Sequence, residues 1–261
     1  IQGPYKAELL FQTDTSGALL VKADKDSDGR NKSVVMMIHG GPNGNYVDEY
    51  DRLSWCLLKH GISICKVNYT GSSGYGQKGI DALMGRVGEA DLEDCNLVYN
   101  LLNEKFENVH LYGGSHGGYL AAKLACQVEN VKSCILLNPV INVWMNAVYC
   151  DIPDYYYCGY YYGCIDHDWR DPITRNDLEL FHSVSPNIKS AIKHPPCLIF
   201  LGGKDVRVPC VTNGLVYRRW LVKQGIFVKC HLFPDLGHAL KSGEAEYTML
   251  ADIVDFVREC S

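Results

Sequence analysis

Short apolar runs alternate with helical stripes along most of this chain. Glu8–Gln12 and Ala18–Ala23 read as two short strands parted by the turn Thr15-Ser16-Gly17. Ser33–His39 (SVVMMIH) is apolar at nearly every position and bounded by turn residues, the pattern of a strand covered on both faces. A helical period follows over Asp48–Lys59, then a strand at Ile62–Tyr69, then the glycine-rich stretch Gly71–Gly76. Glu89–Phe106 carries apolar residues at 92, 95, 98, 101, 102 and 106, one stripe of a helix. Val109–Tyr112 predicts a strand, Gly117–Gln127 a helix and Cys134–Leu137 another strand. The rhythm breaks from about 141 to 192, a segment rich in Tyr, Asp and Pro, and then resumes. Strand Cys197–Leu201, helix Val211–Lys223, strand Phe227–Phe233 and helix Ala245–Glu259 complete the series. This alternation predicts an α/β domain: a mostly parallel, doubly wound sheet with helices on both faces. Nothing marks a linker or a repeat, so residues 1–261 read as one domain with an inserted lid at about 141–192.

Composition narrows the function. A core built from 261 residues can fold without metal or disulfide staples. Lys and Arg number 25 against 30 Asp and Glu, a net charge of -5, and no basic block exceeds a pair. That excludes a nucleic-acid partner read through its phosphates and a polybasic membrane anchor. No run reaches the ~18–20 apolar residues of a membrane-spanning helix. The 12 cysteines are scattered without a C-x-x-C pair, and several sit inside apolar runs, as Cys65, Cys134 and Cys197 do. They read as reduced, small core residues, which predicts a cytoplasmic protein. The group Cys150, Cys158, Cys164 and His167 is too irregularly spaced to predict a metal site, and no motif asks for a cofactor. Because the chain begins at Ile1, it reads as a fragment or a mature piece.

The strongest chemical signal is Gly113-Gly114-Ser115-His116-Gly117, a G-x-S-x-G between an apolar strand and a helix. That setting is the one a nucleophile elbow requires, with glycines where a side chain would collide across the tight turn. A nucleophilic serine needs a base, and the base needs an acid to orient it. In this architecture acid and base follow in that order, each after a strand. Asp205 stands in the loop after Cys197–Leu201, and of the nine histidines only His231 and His238 come later. His231 lies within a strand, whereas His238 stands in the loop Pro234-Asp235-Leu236-Gly237-His238, so His238 is the expected base. Asp205 is the expected acid. Asp235, the rival, reads as a turn residue. The negative charge built on a carbonyl oxygen needs two backbone N–H donors, expected from His116 and, within His39-Gly40-Gly41-Pro42, from Gly41. The His39 and His116 rings read as packed structural groups. Gly71-Ser72-Ser73-Gly74-Tyr75-Gly76 lacks the spacing of a phosphate loop and reads as a turn-rich loop beneath the site.

These residues resemble the prolyl oligopeptidase family of serine peptidases. The resemblance is carried by Gly-Gly-Ser-His-Gly-Gly at 113–118, His-Gly-Gly-Pro at 39–42 and Asn-Tyr-x-Gly-Ser-x-Gly-Tyr-Gly at 68–76. Asn138-Pro139-Val140-Ile141-Asn142, Asp151-Ile152-Pro153-Asp154, Asp205-x-Arg207-Val208-Pro209 and Gly237-His238-Ala239-Leu240 are similar to its acylaminoacyl-peptidase members. It covers the chain from about residue 33 onward. It implies an α/β-hydrolase fold and an exopeptidase that releases an N-acylated residue from a blocked peptide. It also implies a triad of Ser115, Asp205 and His238 with an oxyanion hole at Gly41 and His116, and suggests that Arg207 faces the substrate. Alternatives remain: a broader oligopeptidase or carboxylesterase on the same triad, or a silent interaction domain. Two positions depart from the family: Thr70 stands where an arginine is usual, and the Tyr-rich run 155–162 is unlike the usual text. The β-propeller that family members carry upstream is absent from this chain, whose full-length form the resemblance leaves free to be a homo-oligomer.

Overall fold

The computed structural model describes residues 5–24, 32–155, 170–172, 174–186 and 193–261. Eight strands form one sheet: β1 (Ala7–Gln12), β2 (Gly17–Val21), β3 (Ser33–Ile38), β4 (Ser63–Asn68), β5 (Asn108–Gly114), β6 (Val131–Leu137), β7 (Cys197–Gly202) and β8 (Val228–Phe233). Their order is β1-β2-β4-β3-β5-β6-β7-β8. β1 pairs antiparallel with β2 and β2 antiparallel with β4, whereas every later neighbour is parallel. The mostly parallel α/β expectation therefore holds, with an antiparallel pair added at the N-terminal edge.

The helices are α1 (Arg52–Lys59), α2 (Gly76–Asp81), α3 (Ala90–Asn103), α4 (His116–Ala125), α5 (Val143–Tyr149), α6 (Pro153–Tyr155), α7 (Arg175–Val184), α8 (Gly214–Lys223) and α9 (Gly243–Glu259). β3, β4 and β7 are buried at every residue, and β3 and β7 accordingly read as apolar runs rather than as alternation. Two apolar layers cover the faces. One packs Met36, Leu111 and Leu136 against Leu120 of α4 and Val98 of α3; the other packs Val35, Ile135 and Phe200 against Phe256 of α9 and Leu57 of α1.

α1 begins at Arg52, later than its period suggests, because the Asp51 carboxylate takes the Ser54 N–H at 2.8 Å and fixes Asp51 as an extended cap. The segment after β6 is not structureless: α5, α6 and α7 lie in it, and Thr174 and Asp177 close a capping box at the start of α7. Residues 156–169 and 187–192, with Cys158, Cys164, His167 and most of the Tyr-rich run, fall outside the described residues.

Several imidazoles are sealed inside this fold. His110, in β5, contacts Ser133 Oγ at 2.8 Å and Ser261 Oγ at 3.2 Å; burial, helped by Lys132, pushes its pKa down to about 3. Burial likewise lowers His39 to about 4. Both stay neutral in the fold at pH values where the unfolded chain, with imidazoles at the ordinary 6.5, binds protons. Stability is thus fully present above about pH 6.5 and lost as the pH falls toward 4, at about 1.4 kcal/mol per unit of separation. Urea unfolding midpoints measured across this range are expected to fall steeply. A midpoint that stays flat would mean these rings are not buried neutral.

Candidate active site

The site is assembled where β3, β5, β6, β7 and β8 end. β5 runs into Ser115, which caps α4 with φ 55° and ψ -119°, a conformation non-glycine residues adopt only when their surroundings enforce it. The surroundings do so by hydrogen bonds on both sides. Ser115 N–H donates to Leu137 O at 2.9 Å, and Ser115 O accepts from Tyr119 N at 3.0 Å and Val140 N at 3.3 Å. The two motif glycines are steric requirements. A Cβ on Gly113 would lie 2.2 Å from Gly117 O, and one on Gly117 would lie 2.1 Å from Ile38 O.

Across from the serine, the loop after β3 comes close enough that a Cβ on Gly40 would sit 3.3 Å from Ser115 Cβ. Gly41, beside it, has φ 133°, open to glycine and strained for any other residue. This loop is held from below. The buried His39 ring stacks on Tyr69 with centroids 4.3 Å apart, donates from Nδ1 to Gly40 O at 2.8 Å and meets Ser72 Oγ through Nε2 at 2.8 Å. Ser73 N–H donates to Gly44 O at 3.0 Å and Asn43 Nδ2 to Gly71 O at 2.8 Å. The Gly71–Gly76 stretch thus packs beneath the site as its composition suggested, although its last glycine opens α2. Thr70 is buried, and its N–H donates to Asp94 Oδ2 at 2.7 Å.

The His116 ring turns away from the serine into the protein, where Nε2 lies 2.8 Å from Asp91 Oδ2. Asp91 is itself buried and accepts the Gly88 and Leu92 N–H groups at 2.7 and 2.9 Å. The ring is structural, as expected. Its acidic partner, 25 residues upstream on α3, had no local signal in the sequence.

The loops of Asp205 and His238, the expected acid and base, approach through their main chains. Gly203 N–H donates to Phe233 O at 2.8 Å and Lys204 N–H to Leu236 O at 2.9 Å, zipping the two loops together. Only glycine fits there: a Cβ on Gly202 would be 2.6 Å from Gly237 O, and one on Gly203 would be 2.5 Å from Pro234 O. His238 Nδ1 donates to Asp205 Oδ2 at 2.7 Å, and the Asp205 side chain is 0% exposed. The other oxygen, Oδ1, accepts the Arg207 and Val208 N–H groups, each at 2.9 Å. Asp235 instead points outward, 81% exposed, paired with Lys204 at 2.7 Å. The hydrogen bond from Lys204 holds the Asp235 carboxyl below the usual range. His231 lies 2.6 Å from Asp252 Oδ2, away from Asp205, and off the line a hydrogen bond needs. Among the described residues Ser115 Oγ makes no hydrogen bond to the His238 ring; such pairs are often loose until substrate binds.

Arg207 is already engaged. Its Nε and Nη2 grip both oxygens of Asp151, the second at 3.0 Å, and this hydrogen bond holds the Asp151 carboxyl low. Asn146 of α5 donates to Arg207 O at 3.1 Å and accepts from Asn213 at 2.7 Å. Arg207 therefore fastens the Asp205 loop to α5 through its carbonyl and to Asp151, just beyond that helix, through its side chain. Among the described residues no group of three His, Cys, Asp or Glu stands ready to hold a metal, and no helix is long and apolar enough to cross a membrane.

The family model described as the prolyl oligopeptidase family matches residues 50–261, which include Ser115, Asp205 and His238. The chain belongs to the prolyl oligopeptidase family of serine peptidases. It is 32% identical over 242 residues to an acylamino-acid-releasing enzyme of Arabidopsis thaliana, covering 90% of this chain and 31% of that one. It is 34% identical over 240 residues to the acylamino-acid-releasing enzyme of Rattus norvegicus, covering 88% and 31%. The chain thus spans about a third of the length of these curated relatives. Its fold superimposes on the acylaminoacyl peptidase of Pyrococcus horikoshii with a TM-score of 0.82 over 97% of this chain and 41% of that one, at 20% identity. As a prolyl oligopeptidase family member it has the expected α/β-hydrolase architecture.

Proposed function

We propose that this chain hydrolyses the bond after an N-acylated residue at the start of a peptide, through an acyl-enzyme on Ser115. The observation that carries this reading is the 2.7 Å bond from His238 Nδ1 to the fully buried Asp205, set beside a strained serine at the strand–helix elbow. With Nδ1–H given to Asp205, Nε2 is the ring's free base. It takes the Ser115 proton as Oγ bonds to the substrate carbonyl carbon, and returns it to the leaving amine. Water then enters by the same route, and the N-acylated residue departs as a free acid. The Gly41 and His116 N–H groups receive the oxyanion, since the Gly40–Gly41 turn lies against Ser115 and His116 starts α4. The dipole of α4 points its positive end at the same spot.

The choice of an acylated substrate rests on the relatives' names. Arg207 takes the substrate side in this reading: Asp151 fixes its plane, and among the described residues nothing takes Nη1, which is left for a peptide carbonyl. Of the expected lid at about 141–192, the described part lies against the Asp205 loop through Asn146 and Asp151. A fluorophosphonate probe is expected to label Ser115 covalently, and acetyl-alanyl substrates to be cleaved faster than free-amine alanyl or simple ester substrates. No adduct on Ser115 would leave an interaction domain. Preference for the free amine or the ester would move the assignment to an oligopeptidase or carboxylesterase with the triad intact.

A further inference from the structure

A single buried amide touches the loops of both acid and base. Asn138 follows the last residue of β6 and is 2% exposed. Its Oδ1 accepts the Gly202 N–H at 2.8 Å, where β7 enters the acid loop, and its Nδ2 donates to His238 O at 3.0 Å. Its backbone N–H continues the ladder to Phe200 O at 2.9 Å. On either side of it, Leu137 O holds the Ser115 N–H and Val140 N–H holds Ser115 O. Asn138 also has φ 40°, a region that asparagine tolerates better than other residues with a side chain. A donor, an acceptor and a left-handed backbone are all demanded at one position, and asparagine alone meets all three. Aspartate has no hydrogen for His238 O, and glycine meets only the backbone demand.

We propose that Asn138 is a positioning residue: it fixes the His238 main chain, and through it the imidazole, in register with Ser115 and Asp205. This role rests on the triad reading above. The register is decided by a contact the ring itself never makes, so the reacting atoms feel Asn138 only through His238.

The test compares the parent chain with Asn138→Gly and Asn138→Asp. Glycine keeps the backbone conformation and deletes both contacts; aspartate keeps an acceptor for Gly202 N–H and deletes the donor to His238 O. Turnover of an acetyl-alanyl substrate is measured per serine titrated by the fluorophosphonate, so misfolded molecules drop out of the count. Both variants are expected to lose on the order of 10²-fold in kcat per titrated site, the scale of an ångström-sized misplacement, with KM within about twofold of the parent. The low-field proton NMR resonance of the Nδ1–H held between His238 and Asp205 is expected to shift or broaden in both. Fewer titratable sites with parental kcat per site, and an unchanged resonance, would show a purely structural role and overturn the proposal. If the parent itself is not labelled, the triad reading fails separately. The resonance then decides alone: moved by both substitutions it supports the positioning role, and unmoved it overturns it.

Discussion

Asp205→Asn is expected to lower turnover on the order of 10⁴-fold, or ~5 kcal/mol of barrier, in a protein that stays folded. The size of the effect follows from how the carboxylate is used. Oδ1 receives two main-chain N–H groups and Oδ2 receives the His238 Nδ1–H, so all three neighbours are donors. An amide has only one oxygen. The two fixed N–H groups of Arg207 and Val208 claim it, which turns the new NH2 toward His238. Nδ1 must then accept, the ring proton moves to Nε2, and the nitrogen that faces Ser115 can no longer take its proton. The check is kcat on an acylated peptide alongside circular dichroism. Asp235→Asn is the control. It breaks only an exposed, solvent-screened pair with Lys204, and turnover should stay near parental. The reverse pattern, with both variants folded, would identify Asp235 as the acid.

The largest effect on the fold is expected from Gly117→Ala. Its new methyl would stand 2.1 Å from Ile38 O and 2.6 Å from His39 O, both backbone atoms that cannot rotate aside. Relief requires α4 to move off the end of β3, which carries Ser115 and the Gly40–Gly41 turn apart. A loss of about 3 kcal/mol in unfolding free energy is expected, with activity lost even in the fraction that folds. Gly114→Ala makes the contrast within the same motif. Its Cβ meets Leu137 Cβ at an ordinary 3.5 Å and its φ is not positive, so stability should stay within about 1 kcal/mol of the parent. Urea titration of both variants reads the difference. A tolerated Gly117→Ala would mean the elbow is looser than this geometry.

Much of the architecture was legible because parallel strands buried on both faces leave unbroken apolar runs, as SVVMMI and CLIFLG do in β3 and β7. Chain order placed the acid and base candidates because each follows a strand and a glycine-bearing turn. Contacts made between side chains far apart in sequence left no such trace. The ring of His116 gives no hint of Asp91, and Arg207 and Asp151 were read as separate motif residues although they form one ion pair. Asn138 was visible only as a letter in a family-like string. Its demands come from Gly202 and His238, 64 and 100 residues downstream. Helix boundaries slipped where a side chain ended the period, as at Asp51. Between β6 and β7, α5 and α6 leave no period to read because they have only 7 and 3 residues.

The strand order has a consequence for how the site comes apart. Ser115 follows β5, in the middle of the sheet, whereas His238 follows β8, an edge strand whose residues are all partly or largely exposed. Edge strands open at lower free energy than the centre of a sheet. Fraying of β8 draws His238 away while the elbow and its strained serine stay locked between β3 and β6. On the triad reading, such a local opening would remove the base while the core stays folded. Synthesis runs through the same sequence in reverse. The serine's strand is made some 120 residues before His238, so the expected triad is complete only once the last strand has been synthesised.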